Sequence, residues 1–476
     1  MKHGDSLDTK RLRSGYTPSR RELVRTVVTL SLPVVLAELC STAMQYIDTA
    51  MVGSLGASAT AAIGIVESTT WLIGGLCMAA ATGFSVQVAQ LVGAGRNDEA
   101  RHVLRQALVV LSAFGVLLGC VGVAISGHLP VWLGAEPDVI EGARNYFLIF
   151  SCGIPATQLI RLCVNMLQCS GDMRTPSLLN MAMCGLDVVF NLLLIFPTRT
   201  VTVAGMAFTL PGAGLGVMGA AVGTVLAELV VAVLMLWATC VRSPLLKLVG
   251  QRGSWRPTRH CLGTALRISA PVALERALTN GAQIASTGIV APLGTVAVAA
   301  NSLAVTAESI CYMPGFGFGA AATTLVGQTI GAGRPDLARR FARLSVALGM
   351  VVMGVMGVLM FALAPALIAL FTPDYAVREL GAFVLRIEAV AEPLFAASIV
   401  CSGALRGAGD TLIPSIIDLS TMWGIRITLA AFLAPRVGLA GVWVAMALEL
   451  CVRGSLFLVR LLREHWLRKG AVTAST

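Results

Sequence analysis

Twelve apolar stretches, punctuated by Gly, Pro and charged turns, run the length of the chain. They fall near 27–53, 60–91, 100–126, 136–169, 175–197, 214–241, 263–291, 298–330, 338–366, 378–407, 412–434 and 438–462. A helix needs about 20 apolar residues to cross a bilayer, so each stretch reads as a membrane-spanning helix. Twelve crossings put both ends of the chain on one side. The loops agree: Arg96, Arg101 and Arg105 follow the second stretch, Arg242, Lys247, Arg252, Arg256 and Arg259 the sixth, and Arg334, Arg339, Arg340 and Arg343 the eighth. The alternate connections are nearly uncharged (GSLGASAT, APLGTV) or acidic (GAEPDVIEG). Basic loops gather on the cytoplasmic side, so both termini are expected in the cytoplasm and the chain in a bacterial-type plasma (inner) membrane.

The pattern also repeats. QLVGAGRNDEAR at 90–101 recurs as QTIGAGRPDLAR at 328–339, with eight of twelve positions identical and an offset of 238. The same offset carries Pro33 onto Pro271, Gln45 onto Gln283, Thr49 onto Thr287, Gly56 onto Gly294 and Gly171-Asp172 onto Gly409-Asp410. Six helices per repeat make both halves enter the membrane in the same direction, which relates them by an axis along the membrane normal. The expected fold is an all-α polytopic membrane protein of two six-helix lobes. Residues 1–26 form a basic cytoplasmic segment, 27–241 the first lobe, 242–262 a cytoplasmic linker, 263–462 the second lobe and 463–476 a cytoplasmic tail.

Composition narrows the function. Of 476 residues, 56% are hydrophobic and 13% charged, and the mean hydropathy is +0.81; this excludes a soluble enzyme. The first apolar run is too long for a signal-peptide core, so no cleavage is expected. The net charge of +10 sits in the loops of one face and so marks orientation, not nucleic-acid binding. The twelve cysteines are scattered singly and the five histidines fall near expected helix ends, so neither supplies a metal site. GLGVMG at 214–219 matches GxGxxG but opens an apolar helix with no preceding strand. The GAGR turns likewise read as close-packing glycines. No GxxxxGK[ST] motif occurs, so no ATP and no cofactor is expected. Uphill transport would draw on an ion gradient or on a separate motor.

Charges within the spans carry the chemistry. Glu38, Ser41, Thr42, Gln45, Asp48 and Thr49 follow one another at helical spacing and form one polar stripe on the first span. A carboxylate at membrane depth costs about 2.5–3.5 kcal/mol unless it faces water or a partner, so Asp48 is expected at a polar cavity. It lies roughly 8 Å from the outer end of its helix at 1.5 Å per residue. In the fifth span, Asn180, Asp187 and Asn191 share a face. The offset of 238 maps Asp48 onto Ser286 and Asp187 onto Ile425, which singles out the first lobe.

Several motifs in this order resemble the multidrug and toxic compound extrusion (MATE) family. They are IDTAMVG at 47–53, LGVMGAAVGT at 215–224, VGQTIGAGR at 326–334, GALRGAGDT at 403–411 and WGIRITL at 423–429. The resemblance covers roughly residues 23–463. It implies a V-shaped, outward-open cavity and efflux of amphipathic, often cationic compounds against inward H+ or Na+, with the coupling carboxylate at Asp48. Many proton-coupled relatives carry Asn-x-x-x-Asp in the fifth span, where this chain has Asp187-Val-Val-Phe-Asn191. The carboxylate therefore sits one turn earlier on the same face. Thr224 matches the family's GAAxxT threonine.

The expected coupling site is thus Asp48, Asp187, Asn191, Gln45 and Thr224, able to hold a proton or Na+. Glu275, Gln283, Glu308, Arg426 and Met44 are candidates for the substrate cavity, with Arg426 expected to pair with one of the second-lobe acids (Glu275, Glu308, Glu388 or Glu392). Asp172 and Asp410 read as helix caps. The expected activity is that of a secondary antiporter working as a monomer among membrane lipids, with amphipathic small molecules as partners. A flippase for lipid or polyisoprenoid-linked precursors would need a cationic central cavity. A passive channel would need a ring of repeated ligands, which the unequal Asp48 and Ser286 do not supply.

Overall fold

The computed structural model describes residues 15–203 and 206–468. The basic segment before residue 15 and the tail beyond 468 lie outside the described residues. The first half consists of α1 (Arg20–Gly53), α2 (Ala57–Ala94), α3 (Asn97–Ile125), α4 (Pro137–Cys169), α5 (Arg174–Leu194) and α6 (Val217–Trp237). The second consists of α7 (Arg259–Val290), α8 (Thr295–Gly331), α9 (Pro335–Ala369), α10a (Tyr375–Ala389), α10b (Glu392–Gly407), α11a (Leu412–Thr421), α11b (Thr428–Val437) and α12 (Leu439–Leu462).

Each expected span coincides with a helix, the tenth and eleventh with helices in two parts, and most extend past the apolar run into polar turns. Ser19 and Glu22, for example, close a capping box that starts α1 seven residues before the first apolar stretch. Among the described residues, ten segments are long and apolar enough to cross a membrane. The remaining two explain themselves: α7 carries Arg259, Arg267, Glu275 and Arg276, and α10 breaks between Ala389 and Glu392. A π turn, Met422–Ile427, joins the two parts of α11.

One element departs from the all-helical expectation. Between α5 and α6, β1 (Pro197–Val203) pairs antiparallel with β2 (Met206–Ala213). The alternation of Thr and Val in TRTVTV suits a strand, but a single hairpin is too small to change the fold class.

The two halves meet about the repeat. At Gly93 of α2, a Cβ would lie 2.0 Å from the Gln328 carbonyl; at Gly331 of α8, one would lie 1.9 Å from the Gln90 carbonyl. Gly93 and Gly331, like Gln90 and Gln328, are 238 apart, so the pseudo-two-fold passes through this crossing. The amide of Gln90 donates to the Gly407 carbonyl at 3.3 Å, and that of Gln328 to the Cys169 carbonyl at 2.9 Å, again equivalent positions. The first GAGR glycine of each repeat is therefore a packing residue at the face that carries the basic loops, whereas Gly95 and Gly333 take the left-handed backbone just past α2 and α8.

The first helix of each half reaches into the other half at this face. Leu23, Val27, Leu30 and Val34 of α1 are buried in a core built mainly from α8, α9, α10b and α12. Their counterparts Cys261 and Ala265 of α7 are buried among α2, α3 and α4. Toward the opposite face α2 and α7 part. Gly83 packs on Ala265 and Ser269, and Gly75 on the Arg276 side chain. One and three turns further along that face of α2, Trp71 is 55% exposed and Gly64 has open space around it. The matching face of α7 continues with exposed Gln283 and Thr287. This is a cleft between the halves, closed below by the glycine crossing.

Candidate functional site

The polar centre of the first half arises from how closely α6 can approach α5. The sequence GAAVGT supplies the small residues: a Cβ on Gly219 would lie 2.4 Å from the Leu194 carbonyl, and one on Gly223 2.2 Å from Asn191 Oδ1. Backbones this close are how helices associate where lipid offers no hydrophobic drive. The approach places Thr224 beside Asp187.

Asp187 and Asn191 are one turn apart on α5 and therefore neighbours on its surface; both are 1% exposed. The Asn191 amide donates to Asp48 Oδ1 at 2.9 Å and to Asp187 Oδ2 at 3.1 Å. One side chain thus bridges two carboxylates from different helices, and the two acids also touch each other. Both amide hydrogens are used. Asp187 Oδ1 and Asn191 Oδ1 remain buried with no partner; Asn191 Oδ1 rests against Gly223, which leaves Asp187 Oδ1 as the acceptor free for a proton or a small cation.

Four of the five expected coupling residues, Asp48, Asp187, Asn191 and Thr224, are therefore together. Gln45 is not among them: it lies exposed on α1 one turn before Asp48, and Met44 beside it is half-buried. Tyr46, on the α8 side of the same turn, donates to the Thr306 carbonyl at 2.8 Å and ties α1 to the second half.

In the second half the candidates separate. Glu275 is no open cavity acid: Arg406 lies 2.7 Å away and the Ser415 hydroxyl donates to its other oxygen at 2.7 Å. A buried carboxylate at this depth is stable only when so compensated. The cluster continues through Asp418, Arg453, Glu449 and Thr421. Glu308 instead joins Glu388 and Glu392; the latter two are fully buried, and none of their four oxygens has a hydrogen-bond partner. Arg426 makes no ion pair among the described residues, contrary to expectation. Its guanidinium reaches Met446 Sδ at 2.7 Å and acts on Glu308 and Glu388 from a distance. Gln283 lies on the cleft-facing side of α7. Asp172 caps the start of α5 by accepting from the Thr175 amide at 3.0 Å, whereas Asp410 forms an ion pair with Arg460 of α12.

Sequence reasoning passed over several charges that the fold brings to the centre. Glu228 of α6, one turn beyond Thr224, accepts from the Thr157 hydroxyl at 2.6 Å, and Arg161 of α4 acts on both Glu228 and Glu38. Glu67 of α2 is exposed. Tyr146 of α4 stands in the field of Asp48, Glu67, Asp187 and Glu228 together. The signal was available: each is a lone charge in an apolar run, as Asp48 is.

The matches to known proteins follow this architecture. The MatE family model matches residues 33–193 and again 271–432, two stretches that begin 238 residues apart and together span more than half the chain. The chain belongs to the MatE family. Its members are transporters, not enzymes. Relatives of this MatE-family chain include a probable multidrug resistance protein, NorM, of Thermotoga maritima, 25% identical over 462 residues and covering 96% of this chain and 97% of the relative. Another is the multidrug resistance protein MdtK of Edwardsiella ictaluri, 27% identical and covering 94% and 96%. Among solved structures, a MATE in complex with MaL6 superposes with a TM-score of 0.86 at 20% identity, over 98% of this chain and 100% of that one. An outward-facing multidrug resistance MATE family transporter gives the same TM-score and identity over 98% and 99%. These likenesses support the fold and the integral membrane character of the chain.

Proposed function

We propose that this chain is a secondary antiporter that exports amphipathic, cationic compounds in exchange for protons. The observation that carries the reading is the Asn191 bridge between Asp48 and Asp187. Two touching carboxylates cannot both be ionised, because like charges at that distance repel by several kcal/mol in a poorly solvated site. The pair therefore holds one proton and takes up or releases it as the surroundings open and close. With the basic loops in the cytoplasm, the cleft opens outward and the glycine crossing seals the cytoplasmic side. Proton entry from outside then favours substrate release into the cleft and the change of access. The Glu308, Glu388 and Glu392 group, buried with no ion pair among the described residues and with Arg426 acting only from a distance, is a second place for a proton in the other half.

The naming of relatives as multidrug resistance proteins supports export of drug-like molecules. The test is efflux of a cationic dye from proteoliposomes under proton and sodium gradients imposed separately. A proton gradient alone is expected to drive efflux, and Asp48→Asn to abolish it while the protein remains folded. Efflux driven only by sodium would reassign the ion. Undiminished proton-driven efflux in Asp48→Asn would overturn the mechanism.

A further inference from the structure

Trp71 and Glu67 lie one turn apart on α2, and the Trp71 Nε1–H donates to Glu67 Oε1 at 3.3 Å. Both are exposed. Trp71 stands about 21 Å along a helix about 57 Å long at 1.5 Å per residue, too deep for an aromatic belt. A carboxylate gains from water or a partner rather than lipid, and Glu67 has no ion pair among the described residues. The helix register settles which way the pair faces. Gly64, Ser68, Trp71 and Gly75 fall on one face, the last of these packing on the Arg276 side chain of α7, so Trp71 stands on the cleft wall just above the point where the halves separate.

The chemistry of this pair is specific. The hydrogen bond ties down the edge of the indole and leaves its faces open, and the carboxylate lies at one end of the ring. A flat or bulky organic cation meets an aromatic face and an anion together. Arg276, packed under Gly75 one turn below, repels a positive group and so directs it toward Glu67. We propose that Trp71 and Glu67 form the substrate subsite of the cleft, which takes the charged end of amphipathic organic cations. The assignment rests on the antiport reading above and extends it. Tyr146 stands in the field of Glu67 and of the Asp48–Asp187 pair alike, so a cation at the subsite and a proton on the pair oppose each other through that field.

The test is equilibrium binding of radiolabelled tetraphenylphosphonium to the purified full-length chain, with folding followed by size-exclusion chromatography. E67Q and W71A are each expected to weaken binding about tenfold, equivalent to about 1.4 kcal/mol, whereas W71F, which keeps an aromatic face, stays within about threefold of the parent. Should W71A fail to fold, E67Q and W71F decide. Binding within twofold of the parent in both E67Q and W71A, or in E67Q alone if W71A does not fold, overturns the subsite. Equal losses in W71F and W71A also overturn it, by assigning Trp71 to packing. A parent chain that neither binds nor transports tetraphenylphosphonium instead refutes the proposed antiport function on which the subsite depends.

Discussion

Asn191 does what no carboxylate could do in its place: it donates to two acids at once and rests its own oxygen against Gly223. An acid there would crowd three negative groups into one buried space. The sequence carries half of this arrangement. The four-residue spacing of Asp187 and Asn191 puts them on one face of α5, but nothing local says that Asp48, 139 residues earlier, meets that face. The convergence depends on how α1 and α5 cross, which is set by packing. The second half teaches the opposite lesson, since Glu275 looks like an open acid in sequence and is neutralised by Arg406, 131 residues away. Removing one partner of a buried ion pair typically costs about 3–5 kcal/mol. Arg406→Ala is therefore expected to lower the thermal unfolding midpoint markedly, and adding Glu275→Gln to recover much of the loss; equal midpoints for parent and Arg406→Ala would contradict the pairing.

At the scale of elements, the contact between α5 and α6 does more than hold two helices together. Gly223 is the surface against which the Asn191 amide rests, and a methyl group there would sit 2.2 Å from its oxygen. Gly223→Ala is expected to turn the amide away from Asp48 or Asp187 and to reduce proton-driven efflux at least tenfold. Substrate binding, which does not use the bridge, should change less than threefold. Parallel loss of binding and efflux would point to a general collapse of α6. The helices themselves were legible from hydrophobic length, because a bilayer tolerates few alternatives. The hairpin between α5 and α6 was not, being short and outside any apolar run. The break in α10 and the π turn in α11 also escaped notice, because each shifts the backbone without interrupting the apolar run.

For the whole molecule, the duplicated sequence gave the architecture almost entirely: an offset of 238 relates the glycines that cross, the glutamines that brace the crossing and the helices that reach across. What it could not show is where the duplication fails. The Asp48–Asp187 pair bridged by Asn191 exists in one half and a buried group of three glutamates in the other. The crossing itself is symmetric, so Gly93→Val and Gly331→Val are expected to act alike. Each prevents the close approach of α2 and α8 and opens the basic face, which a cysteine introduced nearby would report through faster labelling by a membrane-impermeant thiol reagent. Labelling unchanged in both variants would show that the face is sealed elsewhere.

The reach of α1 and α7 into opposite halves bears on how the protein comes to exist. Synthesis delivers α1 first, yet the groove that buries Leu23, Val27, Leu30 and Val34 is not made until α8 and the helices after it emerge. The first half in turn waits for Cys261 and Ala265 of α7 to complete its own interior. Neither half can finish folding on the ribosome by itself, so the early helices must stand partly unpacked in the membrane until the second repeat arrives. The duplication that made the transporter thus also made its two copies dependent on each other for assembly.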